Sequence, residues 1–186
     1  MGKLVVVFML FFLTKAMNFG GSSADEWHKS IEVVKEEEKA TELHFYFHDT
    51  VSGKQPSAVR VAQAADSDKS PTFFGVVMMA DDPLTENPEP TSKLVGRAQG
   101  LYGSAGQEEL GLIMALNFGF IDGVYNGSSL SILGLNPALH PVRELPIVGG
   151  TGVFKRARGT AIAKTYRFDA TTGDAIVEYN VTAYHY

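Results

Sequence analysis

From residue 42 the chain alternates apolar and polar side chains with a period of two. Residues 42–50 read ELHFYFHDT, so Leu43, Phe45, Phe47 and Asp49 share one face of an extended strand and His44, Tyr46 and His48 the other. Further strand-like runs occupy 58–63, 73–80, 94–102, 109–118, 129–134, 144–148, 160–168 and 175–185, giving eight or nine short strands. Between them lie turn signals: Ser52-Gly53-Lys54, Asp82-Pro83, Tyr125-Asn126-Gly127, Asn136-Pro137, Gly149-Gly150-Thr151-Gly152 and Thr172-Gly173-Asp174. No segment sustains a helical period with caps. The pattern predicts an all-β domain, a sandwich or a closed barrel. Glycines within the runs (Gly75, Gly96, Gly100, Gly111, Gly119) favour the barrel, whose strands bend at corners. In the last run Val177, Tyr179, Val181 and Ala183 form one face, with Glu178, Asn180, Thr182 and His185 on or near the other.

The N-terminus reads differently. Lys3 precedes an unbroken apolar run of ten residues, 4–13, too short to span a bilayer and matching the core of a signal peptide. Cleavage is expected after Ala16 or Ala24, each with small residues at the required positions. Residues 1–24 are therefore read as a leader, 25–40 as a flexible charged arm and 41–186 as one folded domain.

Charge and cysteine content narrow the function. Without residues 1–24 the chain carries 14 basic and 21 acidic residues, a net charge of −7, which argues against a nucleic-acid partner. The absence of cysteine rules out disulfides, thiolate metal sites and cysteine catalysis. Two glycosylation sequons, at Asn126 and Asn180, fit a secreted, extracellular protein. The Asn180 sequon lies on the polar face of its run, where a glycan points outward.

Asp49 is the residue with most chemical promise. If the Leu43-Phe45-Phe47 face points inward, its carboxyl enters an apolar interior, where burial raises the pKa and suits it to acid–base work. It equally suits the start of the turn that follows. His44 and His48 stand about 13 Å apart on a strand, too far to share a metal, and read as surface histidines; no metal site is expected. Arg97 fits a surface ion pair as well as substrate binding. The Gly149–Gly152 stretch reads as a hairpin turn and Asp81-Asp82-Pro83 as a turn closing a strand. No G-x-S-x-G elbow occurs.

Four stretches in order resemble the plant dirigent family: Phe45-Tyr46-Phe47-His48-Asp49; Asp82-Pro83-Leu84-Thr85; Val95-Gly96-Arg97-Ala98-Gln99-Gly100; and Val148-Gly149-Gly150-Thr151-Gly152-Val153-Phe154 with Ala157-Arg158-Gly159. The resemblance covers residues 41–186. It implies an eight-stranded antiparallel up-and-down β-barrel (allene-oxide-cyclase-like), usually a homotrimer though a dimer is open, secreted to the apoplast and not membrane-bound. It implies no cofactor, and a phenolic substrate whose radicals come from an external laccase or peroxidase. Some members are instead lyases that dehydrate an isoflavanol through a quinone methide to a pterocarpan. A passive carrier barrel is the third reading.

By the same resemblance Asp49 and Arg143 match the catalytic residues, and Tyr102, Phe47 and Asn136 the substrate-binding ones. Lignan-forming members have aspartate at the position of Asn136, within Gly134-Leu135-Asn136-Pro137, and two cysteines that this chain lacks. Residues 107–112 and 173–179 look more like the pterocarpan-forming branch.

Overall fold

The computed structural model describes residues 30–32 and 36–186. The expected leader and half of the expected arm lie outside the described residues, and the arm's last two residues, Lys39 and Ala40, begin the first strand. Nine strands make one antiparallel sheet: β1 (Lys39–Asp49), β2 (Ala58–Ala62), β3 (Val77–Thr85), β4 (Leu94–Ser104), β5 (Gly111–Phe120), β6 (Ser129–Pro137), β7 (Arg143–Thr151), β8 (Arg158–Phe168) and β9 (Ala175–His185). The spatial order is β1-β9-β8-β7-β6-β5-β4-β3-β2, and a β1–β3 pairing closes the ring. The wall therefore has eight strand positions, one of them shared by β1 and β2, which both lie along β3. Three single-turn 3₁₀ segments are the only helical elements among the described residues. None is long and apolar enough to cross a membrane.

Period-two alternation sets the two faces of this wall. Phe45 and Phe47 on β1, and Val177, Tyr179, Val181 and Ala183 on β9, are buried inside. Asn180, between them, is exposed. His185 departs from the expected outer placement: it is buried, and its Nε2 lies 2.8 Å from Thr41 Oγ1. His48 departs too. It points outward as its parity requires, but Thr85 and the chain after it cover it, and its Nε2 lies 2.7 Å from Thr85 Oγ1, which donates to the Asn87 carbonyl. His44 is exposed, as expected, beside Glu178 at 2.9 Å.

The third run, expected at 73–80, lies four or five residues later, at Val77–Thr85. Asp81-Asp82-Pro83 is thus in mid-strand rather than a turn. Pro83 pairs with Arg97 on β4, and the β1–β3 ladder stops at Phe47↔Leu84, just before the missing N–H would be needed. Pro146 in β7 behaves alike, since the β6–β7 ladder ends at Ile132↔Ile147. Asn136-Pro137, expected as a turn, closes β6 instead. Gly149, Gly150 and Thr151 likewise finish β7, and the turn begins at Gly152.

One half of the barrel is packed with aromatic rings. Phe45 meets Phe118 edge-on at 5.2 Å, Phe118 meets Tyr179 at 5.2 Å, and Phe154 stacks on Tyr125 at 5.2 Å. The outer wall carries an apolar row running Val59↔Met79↔Leu101↔Ala115↔Leu133 across five strands, with Ile113↔Leu135 beside it. Val59, Met79, Leu101, Ile113, Leu133 and Leu135 are exposed.

Close strand approach makes some glycines obligatory. Gly159 has φ +148°, and a Cβ there would strike the Thr182 carbonyl oxygen. Gly53, at φ +79°, has nothing within 4 Å of its Cβ position. Gly159→Ala is expected to lower unfolding stability by more than about 2 kcal/mol, and Gly53→Ala by about 1 kcal/mol, the left-handed conformation alone. Urea titration of both variants checks the order.

Candidate active site

The unpacked half of the barrel holds a cavity of about 860 Å³ lined by Asp49, Phe47, Tyr102, Asn136 and Arg143 among others. All five sequence-predicted pocket residues thus border one space. They reach it from strand ends at the same rim: Asp49 ends β1, Tyr102 and Asn136 lie near the ends of β4 and β6, and Arg143 opens β7. Apolar lining comes from Met78, Leu112, Met114 and Val177. Tyr179 and Thr165 add to the polar lining, along with Arg60, Ser104, His140 and Thr172, and were not singled out from sequence. Tyr179, read from sequence only as sharing a face with Val177, Val181 and Ala183, borders both core and cavity.

Asp49 faces inward, so the inward-acid reading holds over the turn reading. Tyr102 donates its hydroxyl to Asp49 Oδ2 at 2.8 Å. Asp49 Oδ1 is buried with no hydrogen-bond partner among the described residues. Burial raises this carboxyl to a pKa of about 6, against the Tyr102 bond, which favours the charged form; Asp174 nearby raises it further. Burial and the Asp49 charge together push the Tyr102 phenol well above its ordinary range. Tyr102 is thus a donor, not a base.

Arg143 is buried, at 3% exposure. Its Nε donates to Asn136 Oδ1 at 3.2 Å, and its Nη1 to the His140 carbonyl at 3.2 Å and to Thr165 Oγ1 at 2.9 Å. All three acceptors are neutral, and no carboxylate pairs with it among the described residues. Burial pulls its pKa below the ordinary value. Asp49 and Arg143 therefore line one cavity without bonding to each other. The Asn136 side chain is held between Arg143 and Met114, with Nδ2 lying 3.8 Å from Sδ.

The most consequential residue missed is Asp82, assigned from sequence to a turn. It is 0% exposed, and neither carboxyl oxygen has a hydrogen-bond partner among the described residues. Ser57, whose hydroxyl lies near enough to Asp82 to oppose the rise in part, donates to the His48 carbonyl at 3.2 Å. Burial, then the Asp49 charge, raise Asp82 to a pKa of about 8. Its signal was present in the Asp81-Asp82 doublet: on one strand the two must face opposite sides. Asp81 faces outward and pairs with Arg97, which settles Arg97 as a surface ion-pair residue. The sequon residues Asn126 and Asn180 are both exposed, and neither lines the cavity.

An antiparallel barrel with one end filled and the other open around an acid and an unpaired cation defines a small-molecule-binding barrel of the kind that can act on its guest. Comparison with known proteins narrows this class. The dirigent-like protein family model matches residues 40–184, so the chain belongs to the dirigent family. It is 59% identical to dirigent protein 23 of Arabidopsis thaliana over 165 residues, 89% of this chain and 88% of that one. Pterocarpan synthase 1 of Glycyrrhiza echinata is 56% identical over 152 residues, 81% of each chain. Among solved structures, the pterocarpan synthase dirigent protein GePTS1 superposes with a TM-score of 0.74 at 53% identity, covering 83% of this chain and 89% of that one.

Tyr102→Phe removes the one donor on the Asp49 carboxylate. The Asp49 pKa is expected to rise above its wild-type value near 6, the direction set by loss of a bond to the charged form. A carboxyl-carbon NMR titration checks it; an unchanged or lower midpoint would contradict the geometry.

Proposed function

We propose that this barrel is a dirigent protein that imparts stereoselectivity on the coupling or cyclisation of phenolic phenylpropanoid or isoflavonoid intermediates, with radicals supplied by an external laccase or peroxidase. The observation that carries it is the cavity: apolar walls around an acid on one side and, on the other, a cation without counter-ion among the described residues. A phenoxy oxygen or quinone-methide carbonyl is polar enough to accept from Arg143, while the apolar wall shields one ring face. Coupling of radicals needs no further catalysis. A tenfold product bias requires about 1.4 kcal/mol between two poses, within reach of a single charge-assisted hydrogen bond.

A second reading uses the same groups as a dehydratase, in which the raised Asp49 carboxyl serves as the acid. Protonated Asp49 gives its proton to the leaving hydroxyl of an isoflavanol; the carbon–oxygen bond breaks and water departs. The conjugated phenol, at the Arg143 end, loses its proton to solvent and becomes the quinone-methide carbonyl, while the Asp49 carboxylate takes a proton back from solvent. An internal phenol oxygen then attacks the methide carbon, its proton passing to that carbonyl. The net change is loss of one water. Intramolecular closure supplies much of the rate through proximity. A passive carrier would need neither Asp49 nor Arg143.

Secretion to the apoplast, glycans at Asn126 and Asn180, and self-association into a homotrimer belong to the same reading. For self-association the support is the exposed apolar row across β2 to β6, a surface that soluble monomers seldom leave bare. Leu133→Arg is expected to convert the assembly to monomers in light scattering after size exclusion; a wild-type protein that already elutes as a monomer refutes it.

The purified protein, given a monolignol and an isoflavanol with and without laccase and read by chiral chromatography, separates the readings. The dirigent changes enantiomeric excess only with oxidase; the dehydratase consumes isoflavanol without it; a carrier does neither. Asp49→Asn is expected to slow dehydration by about 100-fold or more and to weaken stereocontrol. Full turnover in that variant would remove Asp49 from the chemistry.

A further inference from the structure

The buried Asp82 takes no part in the scheme above, and its surroundings call for an explanation. The β1–β3 ladder pairs Tyr46 with Thr85 and Phe47 with Leu84. Continuing that register two residues sets Asp49 directly opposite Asp82, on the same inward face as the buried Phe47 and Leu84. Asp49 borders the cavity and Asp82 does not. Of the four carboxyl oxygens, only Asp49 Oδ2 receives a hydrogen bond among the described residues; Asp49 Oδ1 and both Asp82 oxygens are buried without a partner. Two bare anions facing each other in an apolar wall would repel, with almost no donors to compensate.

We propose that Asp49 and Asp82 hold one proton in common, so that the cavity-facing Asp49 keeps access to a proton at a pH where a lone carboxyl would have lost it. Asp82 is a positioning residue, out of reach of the guest and acting through Asp49. The inference rests on the acid role given to Asp49 above.

The other ionisable groups around the pair do not supply this effect: His48, next to Asp49 on β1, faces outward to Thr85, Arg167 on β8 is exposed, Asp169 accepts from the Thr171 and Thr172 amides, and Arg60 on β2 pairs with Asp68. Tyr102 from β4 donates to Asp49, and Tyr179 from β9 lies inside near both carboxyls. Asp174, before β9, is turned to the Val51 and Ser52 amides and the Ser52 hydroxyl. Asp81 and Arg97 neutralise each other outside. Arg143, across the cavity, is bonded to neutral acceptors. In coupled titration the steps belong to the pair, one near 6 and one near 8.

The test is a carboxyl-carbon NMR titration of the full chain, wild type against the near-isosteric Asp82→Asn, together with the pH profile of isoflavanol consumption. Wild type is expected to show two linked steps that collapse to one in the variant. The basic limb of the profile is expected to move down by about one pH unit or more, because Asp49 then holds a proton only below its own midpoint. Asp49→Asn provides the reciprocal check: the Asp82 step should fall once its neighbour's charge is gone. An Asp49 step unchanged by Asp82→Asn, or a basic limb that does not move, overturns the proposal. The titration needs no substrate. Absence of dehydration therefore sinks the acid reading alone, whereas a single independent Asp49 step sinks the shared proton alone.

Discussion

Closure of the barrel hangs on a seam of two residue pairs. β1 runs beside β9 for eleven pairs but meets β3 only through Tyr46↔Thr85 and Phe47↔Leu84. Beyond that point Pro83 has no N–H to give, β1 ends, and the chain returns as β2 to pair with the far part of β3. The seam must hold, since without it the sheet has two open edges. It must also stop, because a ladder extended past Asp49 would seal the wall where the cavity opens. Leu84, fully buried on the seam, ties the wall to the aromatic core. Across the ring Pro146 ends the β6–β7 ladder in the same way, next to Arg143 and opposite the Gly134 backbone. The two polar clusters of the cavity therefore sit at the two places where proline interrupts the wall.

That arrangement accounts for the electrostatics. Strands interrupted near one rim leave room for side chains that a continuous wall would crowd, and the filled aromatic half keeps water out from behind. An acid in such a site is pushed towards its neutral form, and a guanidinium is held by neutral acceptors. Had Asn136 been an acid, Arg143 would have an internal counter-ion and less pull on a guest. With an amide there, the site holds a cation whose charge is directed at whatever fills the cavity.

Much of this was legible along the chain, for a physical reason. The period of two in 42–50 is a local property, and it put Asp49 on the same face as Phe45 and Phe47; that this face turns inward, over the equally open turn reading, is decided by the barrel. The strand count and the strand glycines followed from local signals too. What failed was whatever depends on the partner strand. Asp82-Pro83 carries the composition of a turn, and proline lies within β3 only because the β1–β3 ladder has already stopped there, a fact absent from the local sequence. The outward parity of His48 was right, but its burial comes from the chain after Thr85. The resemblance brought Tyr102, Asn136 and Arg143 to the site; nothing in their spacing placed them around one cavity, or showed that Arg143 lacks an acidic partner.

Facial selectivity follows from this asymmetry. A planar aromatic guest in an apolar barrel could flip or rotate at little energetic cost, since dispersion and hydrophobic contact are weakly directional. Two polar anchors on opposing walls break that degeneracy. In the proposed reading, acid and phenol on the β1–β4 side bind one guest oxygen and the guanidinium on the β7 side another, so reversing the guest swaps a donor–acceptor match for a mismatch. A mismatch buried away from water costs about 1–3 kcal/mol, and that alone orders the poses by tenfold or more. The same burial that makes Asp49 a reluctant anion makes a wrongly placed guest oxygen expensive. Proton control and stereocontrol are thus two consequences of one dry, doubly anchored space, and neither could be weakened without loosening the other.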